Sequence, residues 1–309
     1  MELTLALGIL YGQLLTVVGL GYILGRCLSP TLPQRIGDFL FWIGVPLGVL
    51  IFLRGADLSG AIALAPLIAW VATLAGAALT WLWSRYQPLP QSQSTGTLML
   101  ATMFGNTGYL GYPIILTLLG EQYFAWVLFY DLLGTTIGAY GFGSLIVARF
   151  QPEKMRVLPH VELFKALQNP IWWSLVLGLW FRNLPLPLPV ETSLRVVGWG
   201  VISLSLVLIG MRLSQLRSLR HRRSVAAALG IKMVIVPLVL GMILGLFGMS
   251  GALQLTLVLQ MAMPPAFATL VLSEAYDLDR ELAVTAIALG SIALLFTLPF
   301  WLLLFPPIP

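Results

Sequence analysis

The stretch GNTGYLGYP, residues 105–113, places three glycines, an asparagine and a proline within nine residues of an otherwise apolar run. The run is long enough to cross a bilayer as one helix, yet these residues build helices poorly. Each glycine costs a helix interior about 0.5–1 kcal/mol relative to alanine. Proline removes a backbone hydrogen bond and collides with the carbonyl four residues back. Inside hydrocarbon, unpaired backbone survives only where protein or a water-filled cavity receives it. The stretch therefore predicts an all-α membrane protein in which one helix is broken at mid-membrane for a purpose.

Composition agrees. Of 309 residues, 59% are hydrophobic and 9% charged, where soluble domains carry about 25% charged residues. The lipid bilayer is the first partner this implies. A single cysteine, Cys27, excludes an internal disulfide framework and the usual cysteine-based zinc sites. The two histidines, His160 and His221, fall in polar connections, so no buried imidazole site, metal or cofactor is expected. The net charge of +5 comes from basic residues in loops between apolar spans, which is the positive-inside pattern and not a nucleic-acid-binding stripe. The N-terminus carries Glu2 where a signal peptide has a basic region, and its apolar run is long enough to span, so it reads as the first transmembrane helix.

Apolar segments of about 20 residues fall at 5–26, 36–54, 60–84, 95–119, 123–149, 170–186, 193–213, 223–247, 252–273 and 281–305. They are rich in Leu, Gly and Ala and carry little charge, unlike barrel strands. With the N-terminus outside, cytoplasmic connections hold 13 Lys and Arg, outer connections hold 3, and Lys232 lies within a span. The expected orientation is N-out and C-out in the plasma (inner) membrane. The longest polar connection divides the chain into a first five-helix repeat at 1–149, a cytoplasmic linker at 150–169 and a second repeat at 170–309. Within it, PHVELFKALQ (159–168) reads either as an interfacial amphipathic helix using Val161, Phe164 and Leu167 or as a plain polar linker. RLSQLRSLRHRR (212–223) reads as a lipid-headgroup anchor. Halves with five spans each must be inverted relative to one another, as in many secondary transporters.

Each half has an interrupted fourth span: GNTGYLGYP in the first and MAMPPAFAT (261–269) in the second. Pro113 is expected to free the carbonyl of Tyr109, and Pro264 and Pro265 those of Gln260 and Met261. Half-helix N-termini favour anions by about 0.3–1 kcal/mol each, more when partly buried, and the Asn106 amide offers both donor and acceptor. The expected substrate site comprises Asn106, Thr107, Gly108, Tyr109, Gly111, Pro113, Gln260, Pro264, Pro265 and Thr269. Asp131, in FYDLLG, reads as a proton carrier or cation partner, or else as a helix-capping or water-facing carboxylate. Lys232 reads as a snorkelling side chain or as an attractor of anions. The bland alternative for both breaks is a packing kink.

The residues of these breaks resemble a known family. GNTGYLGYPIILTLLG (105–120) resembles the fourth span of the auxin efflux carrier family, the PIN-like permeases, in its microbial form. MPPAFATLVLSEAYDLDRELA (263–283), followed by a span ending FTLPFWLLL, resembles that family's ninth and tenth spans. The resemblance implies ten helices in two inverted five-helix repeats, a fold shared broadly with bile-acid sodium symporters. It implies that helices 4 and 9 cross at their broken centres, and that a transport domain moves elevator-fashion against a scaffold of spans 1, 2, 6 and 7. It also implies a homodimer and organic-acid cargo: indole-3-acetate in plant members, malate or malonate in microbial ones. Carried over by position, the crossover is Asn106–Pro113 with Pro264–Thr269. Ala268 and Thr269 stand where many relatives have an asparagine, and the long cytoplasmic loop of plant members is cut to about twenty residues.

The expected function is export of a small organic anion, downhill in a membrane potential worth about 2.3 kcal/mol per charge per 100 mV. The alternative is sodium-coupled uptake of the bile-acid type, with freed carbonyls as cation ligands. An enzyme is not expected, because paired acids, a histidine site and an activated nucleophile are missing from the spans.

Overall fold

A computed structural model describes residues 2–152, 167–215 and 221–307. The interfacial helix expected around Val161 and Phe164, and the centre of the basic run after Arg212, lie outside the described residues. The described residues form helices and no strand, with one isolated antiparallel bridge between Gly105 and Pro265. Among the described residues, five helices are long and apolar enough to cross a membrane: Leu32–Phe52, Leu64–Tyr86, Leu188–Ser214, Arg222–Leu246 and Arg280–Leu304. Ile171–Phe181 and Gly251–Met261 are shorter apolar helices, and Leu15–Cys27 is an apolar part of helix Glu2–Cys27.

Proline placement explains much of the local irregularity. Leu40–Gly44, Thr107–Gly111 and Ile231–Ile235 are π-helical turns, and in each case a proline follows two residues later: Pro46, Pro113 and Pro237. The wider turn gives the proline ring room where an α-turn would clash. Pro113 therefore sits in the first turn of helix Tyr112–Leu118, a position where a missing N–H is tolerated. This corrects the expectation that Pro113 breaks a helix in mid-course.

The chain forms two compact units. The first comprises Met1–Gly60, Gly108–Leu128 and Gln168–Leu216. Its main packing is helix Glu2–Cys27 against Leu188–Ser214, at backbone contact. A Cβ on Gly21 would lie 2.1 Å from the Val207 carbonyl oxygen, and one on Gly210 would lie 2.0 Å from that of Val18. The aromatic rings of Phe52, Phe124, Trp199 and Tyr112 pack together, with centroids 5.2–5.8 Å apart in successive pairs. Helix Ile171–Phe181 stops short of the expected 186, and Arg54 takes its last carbonyl and one just beyond it. The guanidinium donates to Phe181 at 2.7 Å and to Leu184 at 3.1 Å, and Arg182 donates to Ala56 at 3.1 Å.

The second unit comprises Ala61–Thr107, Phe129–Leu167 and Arg217–Pro309. Helix Leu64–Tyr86 meets Ser92–Met103 at Gly76, whose Cβ would lie 2.5 Å from the Thr102 carbonyl oxygen. The Thr80 hydroxyl donates to that of Thr102 at 2.8 Å, so the contact is also polar. At the other end of Ser92–Met103, Asp279 gathers three helix starts. One carboxylate oxygen accepts the Leu282 amide at 3.0 Å, capping Arg280–Leu304. The other accepts the Ser94 hydroxyl at 2.7 Å and lies 3.8 Å from Nε2 of His221, which precedes helix Arg222–Leu246. The Asp279 amide donates to the Thr97 hydroxyl at 3.0 Å.

Because Gly21 and Gly210 bring backbone onto backbone, Gly210→Val is expected to destabilise the protein by about 1–3 kcal/mol. A thermal melt of the purified protein in detergent, with Gly200→Val as the control in open space, checks this.

Candidate functional site

The two breaks answer one another. Helix Ser92–Met103 gives way to extended backbone at Phe104, while Gly251–Met261 ends before Met263 and the next helix begins at Phe267. The Asn106 amide donates to the Pro264 carbonyl at 2.7 Å, and the Ala266 amide donates to the Phe104 carbonyl at 3.0 Å. These bonds flank the Gly105–Pro265 bridge. The Gln260 carbonyl accepts the Met263 amide at 3.4 Å. Groups expected to stand free for a substrate are thus partly used by the protein itself, since unpaired backbone at this depth is too costly.

Close packing holds the bridge. A Cβ on Gly105 would lie 3.1 Å from that of Met263, and one on Gly290 would lie 2.6 Å from Cδ of Pro265 and 3.0 Å from Cβ of Pro264. Gly290 was not among the residues singled out from sequence. It is a lone glycine in an apolar helix, and only its neighbours reveal its use.

Side chains left at the crossover are polar and enclosed. Asn106 is 5% exposed and Thr107 1%. The Thr107 hydroxyl donates to the Asp131 carboxylate, and is 3.4 Å from the Gly105 carbonyl. Asp131 opens a π-helical stretch, Tyr130–Thr136, and is tied to the first break directly. It does not cap a helix end. Thr269 is buried, with its hydroxyl 3.5 Å from the Leu100 carbonyl. Gln260 is fully buried, and neither its amide oxygen nor its amide nitrogen has a partner. Lys232 is 2% exposed within the π-helical turn Ile231–Ile235, which corrects the snorkelling alternative: its ammonium does not run out to the surface.

The second unit therefore holds Asn106, Thr107, Asp131, Lys232, Gln260, Pro264, Pro265 and Thr269. Gly108, Tyr109, Gly111 and Pro113 belong to the first unit, and the boundary falls between Thr107 and Gly108. The sequence pattern had grouped these four with Asn106 and Thr107 on one broken helix.

A helical protein with paired breaks and enclosed polar groups has the build of a transporter, and comparison with known proteins agrees. The profile of the membrane transport protein family matches residues 12–302. The chain belongs to that family. It is the auxin efflux carrier, or PIN-like, family to which GNTGYLGYP pointed. An uncharacterized transporter of Methanothermobacter thermautotrophicus is 29% identical over 297 residues, covering 95% of this chain and 93% of that protein. An uncharacterized transporter of Methanocaldococcus jannaschii is 25% identical over 238 residues, covering 76% and 77% respectively. The family is one of membrane transporters and not of enzymes.

Gly290→Val is expected to push the double proline off the bridge and lower stability by about 1–3 kcal/mol. Hydrogen exchange at the Asn106 and Ala266 amides is expected to accelerate in this variant. Unchanged exchange at both would contradict the role given to Gly290.

Proposed function

We propose that this protein is a secondary carrier that exports a small organic anion, a carboxylate or auxin-like acid, by elevator-type alternating access. In this reading ten spans form two inverted five-helix repeats, 1–149 and 170–309, with both termini outside the plasma membrane. The observation that carries the reading is the bridged pair of helix breaks, with the enclosed Asn106 and Thr107 beside it. Saturating the backbone within the bridge leaves the Asn106 side-chain amide for the cargo. Among the described residues, no hydrogen bond is made to that side chain. The division of the chain into two compact units supports movement of one against the other, and the 13 to 3 distribution of basic residues supports the orientation.

Export needs no coupling ion where the interior is negative, because expelling an anion runs downhill in the membrane potential. Purified protein in liposomes is expected to carry current on addition of one or more of a panel of carboxylates, independent of sodium. Asn106→Ala is expected to reduce that current about 10-fold or more, the loss of one hydrogen bond to a charged group. Currents that require sodium would instead favour coupled uptake. Full currents in Asn106→Ala would remove the crossover as the binding place.

A further inference from the structure

Lys232 and Gln260 are polar groups that the fold encloses and leaves unused. Lys232 is 2% exposed and Gln260 fully buried, and both amide atoms of Gln260 lack partners. Burying an ammonium without an opposite charge is strongly unfavourable. A methionine would fill the same space at no such cost.

The height of Lys232 in the fold follows from the shared floor at Asp279. Ser94, His221 and Asp279 itself meet there, so helices Ser92–Met103, Arg222–Leu246 and Arg280–Leu304 start level. Gly290 is eleven residues above Asp279, about 16 Å at 1.5 Å per residue, and there it touches Pro264 and Pro265. Lys232 is likewise eleven residues above His221, about 16 Å by the same rise. A direct contact agrees: Leu229 lies 3.1 Å from the Cβ position of Gly290, and Lys232 follows Leu229 by three residues, on the same helix face. The Lys232 turn packs on the helices Leu64–Tyr86, Ser92–Met103 and Arg280–Leu304. Their only acidic residue is Glu281, nine residues before Gly290 and so about 13 Å below this level; the carboxylate at the crossover is that of Asp131, which accepts the Thr107 hydroxyl. The backbone of Gln260 reaches the same level, its main-chain carbonyl oxygen 3.5 Å from the Cβ position of Gly105.

We infer that Lys232 is the fixed counter-charge for a carboxylate held at the crossover, and that the Gln260 amide hydrogen-bonds the same ligand. The inference rests on the carrier reading for its physiological cargo, but binding tests it separately. The site discriminates by charge: it takes a carboxylate and rejects the neutral amide of the same shape.

The test measures the melting temperature of purified wild type, Lys232→Arg, Lys232→Met and Gln260→Leu in detergent. The probes are acetate, malonate, succinate and benzoate against acetamide, malonamide, succinamide and benzamide. At least one acid is expected to raise the melting temperature of wild type while its amide does not. Lys232→Met without ligand is expected to melt at the wild-type temperature or above, since a buried unpaired charge has been removed. Its affinity for the acid is expected to fall at least 30-fold, while Lys232→Arg keeps most of it and Gln260→Leu falls about 10-fold. A wild type that no acid stabilises, or a Lys232→Met that binds the acid as well as wild type, overturns the inference. So does a Lys232→Met that melts well below wild type, because the lysine would then be structural. Liposome currents separate the two readings. Flux of solute without charge-selective binding sinks the Lys232 assignment and leaves the carrier, whereas charge-selective binding without flux does the reverse.

Discussion

Backbone amides and carbonyls cannot stand open in hydrocarbon, where each unpaired group costs several kcal/mol. Two helices that break at the same depth violate this constraint twice, and each supplies what the other lacks. Asn106 gives its amide to Pro264, and Phe104 receives that of Ala266. The two prolines, which have no amide of their own to satisfy, occupy the turn where a donor would have been stranded. This two-bond ladder fixes the crossing point. The glycines at 105 and 290 are then required, because a Cβ at either would collide with the partner break.

With the crossing fixed at one level and Asp279 gathering helix starts at another, the helices of the second unit are tied at two heights. The lower tie is charged and half-open to water, as suits a helix start. The upper tie is made of backbone, as suits the interior. Asn106 and Thr107 project from the upper tie without having to hold it together, because the peptide groups do that. Thr107 passes the connection on to Asp131, and among the described residues no hydrogen bond is made to the Asn106 side-chain amide.

The breaks themselves were legible in the sequence, since Gly105, Asn106, Gly108, Gly111 and Pro113 crowd one apolar run and Pro264–Pro265 another. That the two breaks cross was implied by the family resemblance, but the register of the bridge was not. It joins residues some 160 positions apart, and no local property of either segment encodes the register. Pro113 was misread because a proline in an apolar run looks like a kink, whereas the π-helical turn before it converts it into a helix start. The recurrence of that device at Pro46 and Pro237 shows a signal, but one that turn geometry alone exposes. Lys232 was ambiguous for a different reason. Its helix is apolar on every side, so depth along the chain could be counted while the face that bears the lysine could not. Asp131 stood out by its charge, but its tie to Thr107 spans two helices and is invisible in either.

The two charged side chains within the second unit's helices, away from their ends, are treated unequally. The Asp131 carboxylate accepts the Thr107 hydroxyl and is held, while the Lys232 ammonium is held by nothing among the described residues. A protein that carried a cation through this crossover would need the opposite arrangement, with its lysine tied down and its carboxylate left for the cargo. Fixed dipoles point the same way. The helix resuming at Phe267 presents its first amides toward the break, adding positive character there. With the Asp131 carboxylate already held by Thr107, the carboxylate that we infer for Lys232 and Gln260 brings one charge and two acceptors of its own.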